Sequence, residues 1–582
     1  MKISQLKNLY AFIAMILVFV PASYAQHLND FLSNRLNKGH HQSLTKNIVS
    51  NVQTNIFQRG KNPACFQRQK TYGGSGDEYF AYVFKLHDGN YMLYGNTESG
   101  DGDFNENKGG DDAYLIKINP AGNVLWSKTY GGSDDDGFNQ IVENRNGDII
   151  AAGYTASNDG DVKGNHGARD GWLVVLDKKG KLKSQHCYGG SADDEFDGIV
   201  KYANKGFITV GIVSSTDGDE SGVVYHGGEA DGWVVSVNNK GNIVWQKSIG
   251  GSDFEQLTSI IEINNKFYVS GLTWSFDQDA IQNHSAPGHF DHFLAKFQAN
   301  GDIAWTACHG GSGDEYCLLQ SLVATAEGNL LNVGTTGSND GDVSGRQNIF
   351  DAWVPKISSK TGALISQKCY GSATREQSFY SALPDKNGGF LLVGADASDF
   401  PISESWNAMA IKVDAKGNEI WKTTFGGSDQ DVVDGVVATD DGRFLLACYS
   451  RSDDGDVTNQ HGDGDIWMVK IGDCENNHFA LSPVAIANKK PQGISLSVYP
   501  NPVSNSTTIS FLIPDSKQVS IQVFNVEGRL IKTITNTHIQ AGTHEFKWDA
   551  ANEEGSKVAP GIYYLKLNTG NYSETKKLSV IK

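Results

Sequence analysis

The stretch VLWSKTYGGSDDDGF at residues 124–138 decides the fold, because it recurs along the chain, for example as EIWKTTFGGSDQDVV at residues 419–433. The residue before its glycine falls at seven positions, spaced 58, 58, 61, 60, 61 and 55 residues apart: Tyr72, Tyr130, Tyr188, Ile249, His309, Tyr370 and Phe425. A period of this length, with four short strand-like runs in each unit, predicts a β-propeller. We therefore expect an all-β protein with a seven-bladed β-propeller.

The second repeat shows the four predicted strands clearly. Strands a, b, c and d correspond to residues 138–144, 149–155, 171–177 and 182–188. Asn146-Gly147-Asp148 and Lys179-Gly180-Lys181 are tight hairpin signals that join a to b and c to d. Aromatic residues recur in strands c and d, including Trp172, Trp233, Trp353 and Trp467, and we expect them to pack between blades.

The two ends of the repeat region predict how the ring closes. The seventh unit has a strand c at residues 466–471 but no strand d after it, while residues 65–74 match a strand d with no unit before it. We expect the first strand of the chain to complete the last blade, which leaves no exposed sheet edge. Cys65 and Cys474 then fall where every other blade has a c to d turn, so a disulfide between them is predicted.

The chain outside the repeats divides into short segments. Lys2 and Lys7, the apolar run at residues 11–20 and the small residues up to Ala25 are typical of a cleaved secretory signal at residues 1–25, since a membrane span needs about 20 apolar residues. Residues 26–64 are predicted to be a flexible leader, residues 65–474 the propeller and residues 475–493 a linker. Residues 494–582 contain seven further short strands, enough for an Ig-like β-sandwich.

The net charge of −18 is concentrated in the repeats, because residues 1–64 contain seven Lys or Arg and a single Asp. An acidic surface repels nucleic acid and anionic membranes, so neither is expected as a partner.

Two family resemblances follow from motifs in the chain. GGSGDEYCLLQSLVATAEGNLLNVGTTGS at residues 310–338 resembles the SBBP-type β-propeller repeat of secreted bacterial proteins, over about residues 65–474. LSVYPNPV, VFNVEGRLI, PGIYYLKL and the terminal KKLSVIK closely resemble the type A sorting domain of the type IX secretion system. The second resemblance implies the type IX machinery as a partner and delivery to the medium or the outer cell surface.

Two acidic motifs lie in loops that alternating strand direction brings to one face of the ring. The d to a loop has an acidic residue three after its Ser in six repeats, with Arg375 as the exception: Glu78, Asp136, Asp194, Glu255, Glu315 and Asp431. The b to c loop carries Asp-Gly-Asp, followed by an Asp just before strand c. Five repeats have both features: Asp101, Asp103, Asp112, Asp159, Asp161, Asp170, Asp217, Asp219, Asp231, Asp340, Asp342, Asp351, Asp454, Asp456 and Asp465.

Clustered carboxylates with intervening glycines favour a hard cation, so we predict these fifteen residues as calcium ligands. The alternative is that they are ordinary turn formers whose side chains satisfy loop N–H groups. The fourth repeat instead has a loop rich in His and Asp, for which zinc or copper is one interpretation and a solvated loop the other. That loop contains Asp277, Asp279, His284, His289, Asp291 and His292.

No nucleophile elbow, HExxH motif or phosphate loop occurs in the sequence. The first functional hypothesis is an exported binding or adhesion protein whose acidic face recognises an extracellular glycan or protein. The alternative is a secreted polysaccharide hydrolase that uses paired carboxylates of that face. The repeats also resemble those of quinone-binding dehydrogenase propellers, but that family usually has eight units.

Overall fold

The structure is a computed structural model that describes residues 65–472 and 495–581, with short gaps at 203–204, 221–222, 282, 386–387, 399–405, 504, 514–515, 526–528, 554 and 570–572. The predicted signal, leader and linker lie outside the described residues. Two compact units divide at Asn476. Both consist of antiparallel β-sheets, which confirms the all-β class, and the first unit is propeller-like.

Seven antiparallel sheets make up the first unit, and we number them in chain order. Each has four strands in the spatial order a, b, c, d, and in sheet 5 strands a and b are each split in two. Tight turns with a left-handed glycine, such as Gly147 with φ of 82°, join a to b in sheets 1, 2, 5, 6 and 7 and c to d in sheets 1 to 6. A residue with a Cβ is strained there, which explains the Asn-Gly and Lys-Gly signals in the sequence.

The strands of the seven sheets, in the order a to d, have the following bounds. They are Glu78–Lys85, Tyr91–Thr97, Asp112–Ile118 and Val124–Tyr130 in sheet 1; Asp136–Glu143, Ile149–Thr155, Asp170–Leu176 and Leu182–Tyr188 in sheet 2; Asp194–Tyr202, Gly206–Val213, Asp231–Asn238 and Ile243–Ile249 in sheet 3; Glu255–Ile263, Lys266–Thr273, Asp291–Phe297 and Ile303–His309 in sheet 4; Glu315–Tyr316 with Leu322–Ala324, Leu330–Asn332 with Gly334–Thr336, Asp351–Ile357 and Leu364–Tyr370 in sheet 5; Arg375–Pro384, Phe390–Ser398, Trp406–Val413 and Glu419–Phe425 in sheet 6; Asp431–Ala438, Phe444–Ser450, Asp465–Gly472 and Cys65–Tyr72 in sheet 7.

The a strands of successive sheets contact one another, and the last sheet contacts the first, so the a strands surround a common axis. Strand d of sheet 7 comes from the start of the described chain. It pairs antiparallel with strand c of the same sheet, with Cys65 opposite Gly472 and Tyr72 opposite Ile466. The observed pairing agrees with the predicted closure, and it satisfies backbone groups that a free edge would leave unpaired.

The tryptophans of strand c lie between neighbouring sheets. Four of them are fully buried, and they repeat at one position: Trp172, Trp233, Trp353 and Trp467. In sheet 2 the Trp172 ring stacks on Phe138 at 5.4 Å, and its Nε1 donates to Gln185 Oε1 at 3.0 Å. Packing with a satisfied indole N–H confirms the structural role expected for this position.

Strand a of sheet 5 departs from the other six. Six sheets have a one-residue bulge in strand a, such as Thr258 in sheet 4, whereas sheet 5 has three residues there, 318–320. Leu318 and Leu319 pack into clusters formed by sheets 6 and 7 and by sheets 1 and 2. Gln320, with φ of 61°, donates from Nε2 to Tyr94 Oη of sheet 1 at 2.9 Å. The insertion, which we call the axial plug, therefore reaches into the space that the a strands enclose and contacts four other sheets.

The second unit has two antiparallel sheets around one core. One sheet contains Ser495–Tyr499, Thr507–Ile513 and Gly542–Trp548, and the other contains Leu530–Ile539, Lys517–Asn525, Gly561–Asn568 and Ser573–Val580. Alternate residues of Thr507–Ile513 are buried, as expected for a strand with one face toward a core. These seven strands match the seven predicted from the sequence, and the Ig-like topology stays a prediction.

Helical structure among the described residues is limited to two short 3-10 turns, Gly218–Glu220 and Gln278–Ala280. No helix in that part of the chain has the length and hydropathy that crossing a membrane requires. Five cysteines are free thiols, and all but Cys369 are buried: Cys187, Cys308, Cys317, Cys369 and Cys448.

The predicted disulfide closes the ring covalently. Cys474 and the side chain of Cys65 lie outside the described residues, although the Cys65 backbone ends strand d opposite Gly472. We expect non-reducing peptide mapping to recover one linked peptide that contains both cysteines. Cys65→Ser should lower the melting temperature, since removing such a bond typically costs about 2–5 kcal/mol.

The matched control is Cys369→Ser, which changes a half-buried free thiol in strand d of sheet 5. It should leave the melting temperature nearly unchanged. Recovery of Cys65 and Cys474 as two free thiols would contradict the predicted bond.

Candidate functional site

The acidic residue that opens strand a is buried in six of the seven sheets. In sheet 1, Glu78 Oε2 accepts a hydrogen bond from Gly74 N at 3.1 Å, and Glu78 Oε1 accepts one from Thr97 Oγ1 at 2.8 Å. The acid thus holds the Gly-Gly turn against the end of strand b, and the buried polar groups satisfy one another. The fully buried members of this set are Glu78, Asp136, Asp194, Glu255, Glu315 and Asp431.

The Asp that begins strand c is also fully buried. In sheet 2, Asp170 Oδ2 accepts from His166 N at 3.0 Å and lies 2.6 Å from His166 Nδ1. Its other oxygen, Oδ1, is buried without a hydrogen-bond partner. The same Oδ1 atom is unpartnered in four more of these residues: Asp112, Asp231, Asp291 and Asp465.

These two sets of carboxyl groups face each other across the first glycine of five Gly-Gly turns. A Cβ added at Gly189 would lie 2.7 Å from Asp170 Oδ1 and 2.8 Å from Asp194 Oδ2. No side chain fits between the two groups, which explains why the repeat keeps a glycine here. A buried pair of carboxyl groups, which we call the junction pair, therefore joins neighbouring sheets at five of the seven junctions. The two junctions on either side of sheet 6 lack it, because strand a of that sheet begins with Arg375 and strand c begins with Trp406.

Burial dominates the electrostatics of the junction pairs. It raises the pKa of Glu78 to about 8, the pKa of Glu255 to about 7 and the pKa of Asp136 to about 6. The facing Asp raises each pKa further, whereas hydrogen bonds from hydroxyls and the glycine N–H lower it. The predicted exposed acidic face is therefore wrong for these residues, because they lie inside the protein.

The Asp-Gly-Asp loops hold the same turns from outside. In sheet 2, Asp159 Oδ1 accepts from Ser133 N at 2.7 Å, and Asp161 N donates to Gly131 O at 2.9 Å. The glycine between them, Gly160, has φ of 61°, and a Cβ there would lie 2.4 Å from Gly131 O. The motif needs a glycine here because of its positive φ and because of this close approach. The first Asp accepts the equivalent hydrogen bond from a Ser N–H in the four other loops: Asp101, Asp217, Asp340 and Asp454.

The hydrogen bonds of these loops bear on the predicted calcium ligands. Calcium takes about six to eight oxygen ligands. Within the part of the chain that the structure describes, no group of three or more His, Cys, Asp or Glu is arranged to hold a metal ion. The loops thus have a structural role that needs no cation, and calcium binding stays a prediction.

Sheet 6 supplies its acid from a different strand. Arg375 stands at the expected spacing, but the strand register places Gln377 where the other sheets have the acid, opposite Asp396 of strand b. Gln377 Nε2 donates to Asp396 Oδ2 at 2.8 Å, and Arg375 and Lys422 form ion pairs with the same carboxylate. The spacing from the Ser therefore does not identify this position in sheet 6, because strand a of that sheet begins two residues before it, at Arg375.

The histidines of the sheet 4 loop turn to different partners. His284 Nδ1 lies 3.5 Å from Asp291 Oδ2, and His289 Nδ1 lies 3.0 Å from Asp314 Oδ2. His292 is fully buried, with its ring centroid 5.0 Å from that of Trp353, and burial lowers its pKa to about 4. Three histidines that point to three surroundings do not form a common ligand set.

An aromatic cluster replaces polar groups at the loop end of sheet 4. The rings of Trp274 and Phe290 stack at 4.4 Å, and Phe254 and Tyr316 lie 5.6 and 5.5 Å from Trp274 and Phe290 respectively. Trp274, Phe290 and Tyr316 are half-buried, and Phe276 in the same loop is 43% exposed. Further exposed apolar residues lie in the b to c loops of sheets 3, 4 and 5: Val224, Ile281 and Ile349.

This cluster was not predicted, although an alignment of the repeats contains its signal. The residue before the Asp of strand c is Asp111 in sheet 1 and Arg169 in sheet 2, but Phe290 in sheet 4. The residue after strand b is Glu98 in sheet 1 and Trp274 in sheet 4. The first of these positions is also aromatic in sheet 5, where it is Phe350. Positions that are charged in some repeats and aromatic in others mark a surface that the fold itself does not require.

Residues 497–582 match the family model described as secretion system C-terminal sorting domain. These residues are a C-terminal sorting domain. The protein is thus exported by type IX secretion to the cell surface or the extracellular space. The match begins within the first strand of the second unit, two residues after its start at Ser495, and covers the rest of that unit. The resemblance of residues 65–474 to the SBBP-type repeat stays a prediction.

A comparison with curated proteins gave no match. Solved structures similar to this chain include the WD40 domain of Pan2 from Neurospora crassa, which is 10% identical, covers 68% of this chain and 89% of that chain, and has a TM-score of 0.37. Sqt1 from Chaetomium thermophilum is 9% identical and covers 70% of this chain and 100% of that chain, with a TM-score of 0.35. PorZ, a surface component of the type IX secretion system of Porphyromonas gingivalis, is 10% identical and covers 88% of this chain and 100% of that chain, with a TM-score of 0.17. At these scores the fold rests on the sheets themselves, and no function is carried over.

The junction pairs predict that stability falls as pH rises. An acid with a raised folded pKa binds its proton more tightly in the folded state, so its stabilisation is complete below the unfolded pKa and is lost through the folded pKa. For Glu78 this window runs from 4.5 to about 8. We expect the free energy of unfolding to drop by roughly 2 kcal/mol or more between pH 5.5 and pH 8. Urea unfolding followed by Trp fluorescence measures this free energy. The signal reports mainly on the first unit, because Trp548 is the only one of the 11 Trp that lies in the sorting domain.

A matched variant isolates the effect. Glu78→Gln keeps the shape of the acid without its titration, so it should reduce the pH dependence. His292 has the opposite effect on the pH dependence. Its pKa falls from 6.5 to about 4 on folding, so its protonation destabilises the folded protein as pH falls below 6.5. A free energy of unfolding that rises from pH 5.5 to pH 8 would show that the junction pairs are not protonated as described.

Calcium binding has a separate test. If the Asp-Gly-Asp loops bind calcium only in the folded state, a hundredfold excess over Kd stabilises the protein by about 2.7 kcal/mol. A melting temperature that rises with added calcium and falls with chelator would support the fifteen predicted ligands. Indifference to both would leave the loops with their hydrogen-bonding role alone.

Proposed function

We propose that this exported protein is a binding protein that recognises an extracellular glycan on the loop face of sheets 3 to 5. The observation that carries the proposal is the aromatic cluster around Trp274. The loops of this region keep the buried acids of the repeat, and in addition they present aromatic and aliphatic groups outward. Exposed apolar groups on an otherwise acidic protein favour a ligand contact over solvation.

The chemistry of the surface favours a glycan. Sugar rings have apolar C–H faces that pack on aromatic rings and hydroxyls that donate to carboxylates. Phe276 provides an exposed ring, and exposed Asp253 and Asp277 lie in the loops beside it. An extracellular protein ligand is the competing outcome of the test.

A polysaccharide hydrolase is the second candidate, and Glu376 is the observation that favours it. This side chain is 5% exposed, its Oε1 has no hydrogen-bond partner, and burial raises its pKa to about 7. A carboxyl group that stays protonated near neutral pH suits a general acid. The test is an assay for product release from a bound glycan. If product is released, and Glu376→Gln abolishes the release while binding persists, the protein is a hydrolase and the proposal of a binding protein without activity is wrong.

Glycan screening of the full chain tests the binding surface. Phe276→Ala should weaken a bound glycan roughly tenfold, about 1.4 kcal/mol, because it removes an exposed ring without opening the core. The control is Ile420→Ala, which truncates another exposed apolar residue, on strand d of sheet 6. Equal affinity of the two variants, or capture of a protein ligand alone, would contradict glycan recognition on this surface.

Export has its own test. Deleting residues 494–582 should leave the protein in the periplasm, because a signal peptide directs passage across the inner membrane only. Fractionation of cells that express the full and the truncated chain measures it. Normal appearance of the truncated chain at the surface or in the medium would show that sorting does not depend on this domain.

A further inference from the structure

A cavity of about 290 Å³ lies between sheets 1 and 2, among the tight turns at the end opposite the long loops. Its apolar floor consists of Leu86, Met92 and Ile149, which are nearly fully buried and belong to the core shared by the two sheets. The floor is therefore rigid, and the cavity is formed without any change in the fold. Its volume is near the lower end of the range for small-molecule sites.

The two acidic side chains of the cavity walls each contact a basic partner. Lys117 Nζ lies 2.7 Å from Asp88 Oδ2. His87 donates from its backbone N to Glu143 Oε2 at 2.6 Å, and its Nδ1 lies 3.1 Å from the same oxygen. Both carboxylates of the wall thus have partners, so neither is free to bind a cation.

Two further cations stand at the rim without such partners. Arg145 and Lys178 are exposed, line the cavity and make no ion pair within the part of the chain that the structure describes. A Cβ added at Gly147 would lie 3.7 Å from Lys178 Cβ, so Lys178 stands beside the turn that carries Arg145. In a chain of net charge −18, two adjacent unpaired cations over an apolar floor form a local site of positive charge.

We propose that this cavity binds a small organic oxyanion with an apolar body. Arg145 would hold the carboxylate or phosphate group through paired N–H donors, and Lys178 would add a second positive charge. The apolar body would lie on Leu86, Met92 and Ile149, where its burial contributes about 25 cal/mol per Å². The site is independent of the glycan surface, because the tight turns and the long loops lie at opposite ends of the strands.

Titration of the full chain with four probes tests the proposal. Benzoate and phenyl phosphate combine a charge with a ring, inorganic phosphate has the charge alone, and benzyl alcohol has the ring alone. We expect benzoate or phenyl phosphate to bind at least tenfold more tightly than the other two, measured by calorimetry and saturation-transfer NMR. The stronger of the two identifies the group that the site prefers.

Three variants locate the binding. Arg145→Gln and Lys178→Gln should each weaken the stronger probe about tenfold, and neither should change the melting temperature, because both side chains are exposed. The control is Lys179→Gln, which removes an exposed Lys from the same turn but outside the cavity lining. No binding by either ring probe up to about 10 mM, or an equal loss in Lys179→Gln, would overturn the site.

Discussion

The hydrogen bond from the second glycine of each Gly-Gly turn to a buried acid is the interaction on which the first unit depends. It fixes where one sheet ends and the next begins, and it recurs at six of the seven junctions. The acid could not be replaced by an apolar residue without leaving a buried N–H unsatisfied, which costs about 1–3 kcal/mol. A polar interaction thus determines the geometry of a ring whose interior is otherwise largely apolar.

This arrangement changes the meaning of the acidic composition. Many of the Asp and Glu residues are interior parts of the scaffold, and burial leaves several of them protonated near neutral pH. Function is then to be sought where the repeating rule fails. Sheet 4 replaces charged loop positions by Trp274 and Phe290, and sheet 6 moves its acid to Asp396 and leaves Glu376 without a hydrogen bond at Oε1.

Much of the fold was predictable from the sequence, because period and turn chemistry are local. The strands of the second repeat and the pairing of residues 65–72 with the last unit follow from alternation, Asn-Gly turns and a missing strand. The candidate site was much less predictable. Sequence shows that Asp170 is acidic but not that one oxygen is buried without a partner. Phe254, Trp274 and Phe290 meet only after strands a, b and c of sheet 4 have paired. The shift from Arg375 to Gln377 likewise depends on strand register, which a fixed spacing cannot represent.

The axial plug has a consequence for how the sheets of the ring depend on one another. Residues 318–320 reach from sheet 5 to clusters of four other sheets, three of which are not its neighbours in the ring. The ring is thus held together across its middle as well as around its circumference. Shortening this insertion would remove contacts from several sheets at once and not from sheet 5 alone.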